Sequence, residues 1–373
     1  MEKNPLGDSL SGISVLDFST NVAGPYASMI LADLGADVTK IERKGVGDPS
    51  RSMNPTWGET SAVHYALNRG KRSIELDLKS DSDTAHALEL ATHSEIIIES
   101  YRPGVMDRLG LGFEAIRNVN PQLAYCSISG FGYEPNSRDI GAYDPIIQAF
   151  SGHLEMTGDP DGGPARSGAS IVDVSAGMWA AMGVLSVLQL PSRERGIHIQ
   201  ISLLDSILAV MAHQVAAVSL TGVDLPRLGT ASPLLAPYEA FQTADKLVMI
   251  AAGNQDLFRR LCDTLELTTL TKQAEFETNS NRVKNRALLK ERIEERLQTQ
   301  SADDWVRRLN NVGVPCSPVN TLREALSEPE VRDRNTLQWM PNSPMPLVAN
   351  PIRVDRRPMV AEKAHSLLGE QSQ

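Results

Sequence analysis

The sequence predicts an α/β fold built on a doubly wound parallel sheet, followed by a smaller second unit. Three observations carry the prediction. Short apolar runs alternate with segments of helical periodicity through the first third of the chain. The opening runs stand in strand–helix–strand order, which implies parallel pairing with right-handed crossovers. At 373 residues the chain is also long enough for two compact units.

Ile13 to Phe18 reads as the first strand, Gly24 to Leu34 as an apolar helix and Asp37 to Glu42 as the second strand. Ser73 to Leu78 is a third strand, Ser80 to Thr92 a helix, Glu95 to Glu99 an Ile-rich strand and Leu123 to Ile128 another. A long apolar helix is expected from about Ser175 to Leu190, then a strand from Gly196 to Ile201 and a helix from Leu203 to Leu220. Leu225 to Pro233 is loop-like, and Tyr238 to Ala252 reads as a hairpin with Thr243-Ala244-Asp245-Lys246 at its tip. Helices follow at Gln255 to Leu265, Arg286 to Gln298 and Ala302 to Asn311. These boundaries divide the chain into a large unit over 1–224, a small domain over 233–329 and a Pro-rich return segment over 330–373.

Hydrophobic residues make up 41% of the chain and charged residues 22%, ordinary values for a globular protein. The net charge of −10 argues against nucleic acid or an anionic membrane surface as partner, since both select clustered Lys and Arg. Cys126, Cys262 and Cys316 are too far apart for a CxxC metal site and odd in number, so they read as reduced thiols, with no metal expected. MEKNPLGDSLSG lacks the apolar stretch of a signal peptide, and no apolar run reads as membrane-spanning. The expected location is cytoplasmic.

The stretch GDPDGGPARSGASIVDVSAGM, from Gly158 to Met178, places Asp173 between a short apolar strand and a helix, where open α/β sheets hold their chemistry. Two roles remain open for it on the residues alone. Asp before a helix is a good N-cap. An acid with no nearby His or Cys also suits covalent carboxyl transfer, in which its own oxygen is the nucleophile. The turn after the first strand, Ser19-Thr20-Asn21-Val22-Ala23-Gly24-Pro25, has one glycine where a dinucleotide fingerprint needs three, and Pro25 fits the first helical position. A nicotinamide dehydrogenase is therefore disfavoured; coenzyme A is the nucleotide still compatible.

Six blocks carry a resemblance: GISVLDFSTNVAGPYASMILADLGADVTKIERKGVGDPSR, NRGKRSIELDLKS, YRPGVMDRLGLGFE, GAYDPIIQAFSG, RSGASIVDVSAGM and VGVPCSPVNTLREALSEPEVRDR. Together, in this order, they resemble the class III CoA-transferases, the family of formyl-CoA and carnitine CoA-transferases. The resemblance implies a Rossmann-like large domain and a smaller α+β domain, in an interlocked, ring-like homodimer whose tail returns to the large domain. It implies a reaction of an acyl-CoA with a small carboxylic acid, CoA entering as substrate and no cofactor being tightly bound. Asp173 would attack the thioester, giving a mixed anhydride and then an aspartyl-CoA thioester. Matching positions put Asn21, Val22 and Ala23 beside the pantetheine, Arg43 and Lys71 near the nucleotide, Tyr101 against the adenine, Arg108 near phosphate, and Tyr143 and Asp144 near the thioester. The dipole of the following helix should favour ionised Asp173.

Two departures bear on substrate. Val22 stands where formyl-CoA transferase has glutamine, and Thr230-Ala231-Ser232-Pro233-Leu234-Leu235-Ala236-Pro237 replaces its glycine-rich flap. Both argue against formate or oxalate and lean towards succinyl-type or other short acyl donors. The main alternative is an α-methylacyl-CoA racemase-like isomerase using Asp173 in α-proton exchange. Its histidine, however, is matched here by Tyr143, a poor base with an ordinary pKa of ~10. A CoA-binding scaffold without catalysis would be expected to lack Asp173.

Overall fold

Six parallel strands form the central sheet: β1 (Ser14–Asp17), β2 (Asp37–Arg43), β5 (Lys71–Leu76), β6 (Ile96–Glu99), β7 (Ala124–Ser129) and β8 (Ile197–Ser202). Between β2 and β5, β3 (Thr56–Trp57) and β4 (Thr60–Ser61) make a small antiparallel pair. In the sheet the order is β5-β2-β1-β6-β7-β8. This is the doubly wound arrangement in which the winding reverses between β1 and β6, opening a crevice at the carboxyl ends of those strands. Val15 of β1 lies opposite Val38 on one side and Ile96 on the other. Residues Val15, Val38, Ile96, Ile97 and Ile98 are at most 1% exposed, so β1 and β6 are central strands without a solvated face.

The helices up to residue 224 are α1 (Ala23–Asp33), α2 (Ala62–Leu67), α3 (Asp81–Thr92), α4 (Val105–Arg108), α5 (Phe113–Val119), α6 (Asp144–Phe150), α7 (Ile171–Leu188), α8 (Leu203–Val210) and α9 (Ala212–Thr221). The computed structural model describes residues 5–58, 60–191, 196–341, 343–359 and 366–370. Positions 342, 360–365 and 371–373 of the expected return segment lie outside the described residues.

Three sequence expectations change here. Helix α7 begins at Ile171, so no strand precedes Asp173, which is its third residue. Helix α1 starts at Ala23, which moves Pro25 from the first helical position to the third, still in the turn where its missing N–H costs nothing. The single helix expected over 203–220 is broken at Met211, and α8 and α9 bend by 77°. Helix α7, 18 residues with mean hydropathy 1.7, is also long and apolar enough to cross a membrane. Its small residues Ser175, Ala176, Gly177, Ala180 and Ala181 are instead buried, the first turns lying against α1.

Contacts divide the chain into Met1–Leu154, Arg166–Asp224 and Pro329–Gln373 as one unit and Glu155–Ala165 with Leu225–Glu328 as the other. The small unit has an antiparallel sheet, β9 (Tyr238–Gln242), β10 (Leu247–Ala251) and β11 (Cys316–Pro318), ordered β11-β10-β9. Phe241, Val248, Ile250, Phe258, Leu261 and Trp305 fill its core. The excursion 155–165 is closed on itself by the Gly158–Pro164 bridge and joins the rest of this unit through the bond from Gly229 N to Gly158 O.

Candidate active site

A cleft of about 280 Å³ opens at the crevice between β1 and β6. The turn after β1 supplies Thr20, Asn21, Val22 and Ala23, and the segment after β6 supplies Ser100, Tyr101, Arg102 and Pro103. Arg138 and Tyr143 come from the loop before α6, and Asp173 from the first turn of α7. Among the described residues Asp173 is the only carboxylate on its wall, and neither His nor Cys lines it.

The β1 turn is held from beneath by buried charge. Asp17, fully buried, accepts from Ser19 N, Ser19 Oγ and Ser28 Oγ and pairs with Lys71 at 3.2 Å and Lys40 at 3.9 Å. Burial alone would raise its pKa, but Lys40 and Lys71 hold it below the ordinary carboxylate range. Lys40 donates to Ser19 O at 2.7 Å and pairs with Asp48 at 2.9 Å. Asp48 Oδ1 accepts from Asn21 N at 3.2 Å. Asn21 takes the left-handed conformation with φ 65°, which Asn tolerates better than most residues, and that bend turns the chain from β1 into α1. Thr20 N is tied to Ser100 Oγ at 2.9 Å, joining the turns on both sides of the crevice.

Helix α7 is capped unusually. Its N-cap residue Ser170 makes no side-chain cap bond. The free N–H groups of Val172 and Asp173 donate instead to Asp144 Oδ2, at 2.9 and 3.4 Å, from the start of α6. Burial, and then the neighbouring Asp144 charge, push the Asp173 carboxyl up to about 7. The expected stabilisation of its ionised form by the helix dipole is therefore outweighed, because desolvation and a like charge both favour the neutral acid.

Asn21, Val22, Ala23, Tyr101, Tyr143 and Asp173, singled out in the sequence, share this cleft. Asp144, Lys71, Arg43 and Arg108 do not line it. Asp144 is only 4% exposed and is spent on the α7 cap. Lys71 is 3% exposed because it neutralises Asp17 beneath the turn, also donating to Pro25 O and Asn68 Oδ1; burial pulls its pKa down to about 8. Arg43 ends β2 on the surface, and Arg108 ends α4.

Sequence reasoning missed Arg102 and Arg138. A Cβ built on Gly141 would lie 2.6 Å from Arg102 Nη2, and one on Gly104 would lie 3.2 Å from Arg138 and 3.4 Å from Arg108. Absent side chains at these glycines thus let guanidinium groups gather at the cleft mouth. The available signal was position: Arg102 follows β6 directly at the switch point. Glu99, also missed, is 4% exposed, accepts from Tyr101 N at 2.8 Å and is pushed up to about 7 by burial. In the small unit, the Thr230 to Pro237 segment is pinned by Asn279, Arg282 and Arg286, which bond to backbone groups of Ser232, Leu234, Leu235 and Ala236.

Comparison with known proteins gives a match to CoA-transferase family III over residues 10–372. The chain is 38% identical over 345 residues to an acetyl-CoA:oxalate CoA-transferase of Acetobacter aceti, covering 92% of this chain and 88% of that protein. It is 34% identical over 372 residues to a succinate–glutarate CoA-transferase of Agrobacterium fabrum, covering 97% and 93%. Among solved structures, a CAIB/BAIF family protein from Brucella suis superposes with a TM-score of 0.88 at 33% identity, covering 100% of this chain and 98% of that one.

Proposed function

We infer a mechanism from the premise that this chain belongs to CoA-transferase family III and is an enzyme that transfers CoA between an acyl-CoA and a carboxylic acid. The observation that carries the mechanism is Asp173, the lone carboxylate lining the switch-point cleft among the described residues, with no His or Cys beside it. An Asp173 oxygen attacks the thioester carbonyl; the C–S bond breaks and CoA leaves as thiolate, giving a mixed anhydride. The thiolate attacks the Asp173 carboxyl carbon, releasing the donor's acid and leaving an aspartyl-CoA thioester. The acceptor carboxylate then attacks that carbon and expels the thiolate, which takes the acceptor acyl group and restores the Asp173 carboxylate. No net proton transfer is needed, which suits a wall without histidine.

A cleft of about 280 Å³ is small for a ligand site, so it takes the reactive end of the substrate with the rest extending over the mouth. There Arg102 and Arg138 suit phosphate or a second carboxylate. Several relatives are named for dicarboxylic acids, including oxalate, glutarate and mesaconate, and we propose a dicarboxylic acid as one partner. The oxalate name at 38% identity weighs against the sequence-based exclusion of oxalate.

The finer parts of the reading are an interlocked homodimer and a cytoplasmic location. Exposed Met178, Trp179 and Met182 on α7, with exposed Val210 on α8 and Val215 on α9, support burial against a second copy. Three free cysteines, two of them buried, support a reducing compartment.

The test is intact-protein mass spectrometry after mixing with acetyl-CoA, succinyl-CoA and other short acyl-CoAs. The parent should gain a CoA adduct, and Asp173→Ala should gain none while binding CoA within about threefold of the parent. Parent-like transfer by Asp173→Ala would overturn the assignment. No adduct, with deuterium uptake at the α-carbon of a branched acyl-CoA, would favour proton exchange instead.

A further inference from the structure

Gln148 is fully buried one turn into α6, and both ends of its amide are engaged. Its Nε2 donates to Asp144 Oδ1 at 2.5 Å, and its Oε1 accepts from Ser167 N at 2.9 Å. Asp144 Oδ2 in turn takes the Val172 and Asp173 N–H groups of α7. One amide therefore ties α6 to the segment entering α7 and fixes the acid that occupies the helix's free donors. Those donors are the positive end of the helix dipole, whose potential would favour an Asp173 anion in the same turn. With Asp144 in place, no hydrogen bond from the described residues reaches the Asp173 carboxylate.

We propose that Gln148 is a positioning residue for the reaction: it fixes Asp144 on the α7 N–H donors, cancels the positive potential they would place on Asp173, and leaves that carboxylate weakly stabilised and turned to the cleft. This rests on Asp173 being the nucleophile. A carboxylate stabilised by the positive end of a helix is a poorer nucleophile and holds its charge at lower pH. The clamp thus trades ionisation at low pH for reactivity once the group is ionised.

The charged and titratable groups facing Asp173 are Asp144 on α6 and Tyr101, Arg102, Arg138 and Tyr143 along the cleft, and Tyr26 on α1 packs against Gly177 one turn on. Beyond Asp144 lies His153, whose pKa burial lowers and Asp144 raises. In Gln148→Met, Asp144 loses its donor and its hold on the α7 N–H groups loosens. The acid limb of the pH–rate profile should then move down by about one unit, the plateau fall about tenfold, and KM for the acyl-CoA stay within about twofold. In Gln148→Glu, a second negative charge should move the limb up. Asp144→Asn, which removes charge while keeping an acceptor, should move it down.

The experiment measures CoA-adduct formation at Asp173 by mass spectrometry from pH 5 to 9 for parent and variants, with melting temperature as a check of folding. Opposite shifts in the Met and Glu variants establish the clamp. An unmoved limb with uniform loss of rate at every pH overturns it, since that is the signature of a merely structural glutamine. If Gln148→Met fails to fold, the Glu and Asn variants decide by the same criterion. A parent that forms its adduct on a residue other than Asp173 sinks the nucleophile reading itself, an outcome distinct from an adduct on Asp173 with an unmoved limb.

Discussion

Gly177→Ala tests whether the spacing of α1 and α7 sets the catalytic geometry. A Cβ at position 177 would lie 2.6 Å from Ala23 O and 3.1 Å from Tyr26 Cβ and Cδ1. The first of these is backbone in the opening turn of α1, which cannot swing aside. Restoring an ordinary contact requires α7 to retreat by about 0.8 Å, from 2.6 Å to 3.4 Å. Asp173 sits one turn earlier on the same face of α7. The retreat therefore carries it away from the Val22-Ala23 turn on the opposite wall of the cleft. Overpacking costs about 1–3 kcal/mol, and exchanging Gly for Ala within a helix returns about 1 kcal/mol. Stability should thus fall by no more than about 2 kcal/mol. A displacement approaching 1 Å at the reacting group costs about 100-fold in rate. The assay pairs thermal melting with the rate of CoA-adduct formation. Gly183→Ala is the control, since its Cβ meets only one side-chain methyl, Ile199 Cγ2 at 3.0 Å, and no backbone, farther along the same helix. It should keep parental activity. A Gly177→Ala enzyme within twofold of the parent would refute the spacing argument, as would a loss matched by Gly183→Ala.

Since Asp173 is pushed up to about 7, transfer should fall about tenfold per pH unit below that value, as the protonated acid is no nucleophile; a flat kcat profile down to pH 5 would contradict this. The same raised pKa means that ionised Asp173 burdens the folded state. The burden is absent below the unfolded value near 3.8, grows as pH rises towards 7 and is constant above it. Asp173→Asn should therefore melt higher than the parent by about 2 °C at pH 8, with the gain shrinking as pH falls towards 4. Asp17→Ala leaves Lys71 buried without its charged partner, while Lys40 keeps Asp48, and should cost about 3–5 kcal/mol in denaturant unfolding. A loss below 1 kcal/mol would show that the cluster is dispensable.

Apolar periodicity made much of the large unit legible, because buried parallel strands and the helices between them must each show their hydrophobic signal locally. Strands near Ile13, Asp37 and Glu95 and helices near Gly24 and Ser80 stand within a few residues of where the runs placed them. The ordered motif blocks also carried the family and Asp173, since a motif concentrates its information in adjacent residues. Short α6 and the arrival of α7 at Ile171 were hidden, because seven residues hold too few turns to show a period and Ser170 and Asp173 are both N-cap residue types, so neither singles out the start.

The sequence by itself determined that a doubly wound α/β sheet forms and that one acid, Asp173, stands at the start of a long apolar helix. Only the tertiary structure decided what that acid feels. Lys71 reads as a nucleotide ligand until its strand places it against Asp17, 54 residues earlier. Asp144 reads as a substrate contact until α6 brings it to the N-terminus of α7, 28 residues later. Burial and charge pairing depend on distances between segments far apart in the chain, and those distances set the protonation and aim of Asp173.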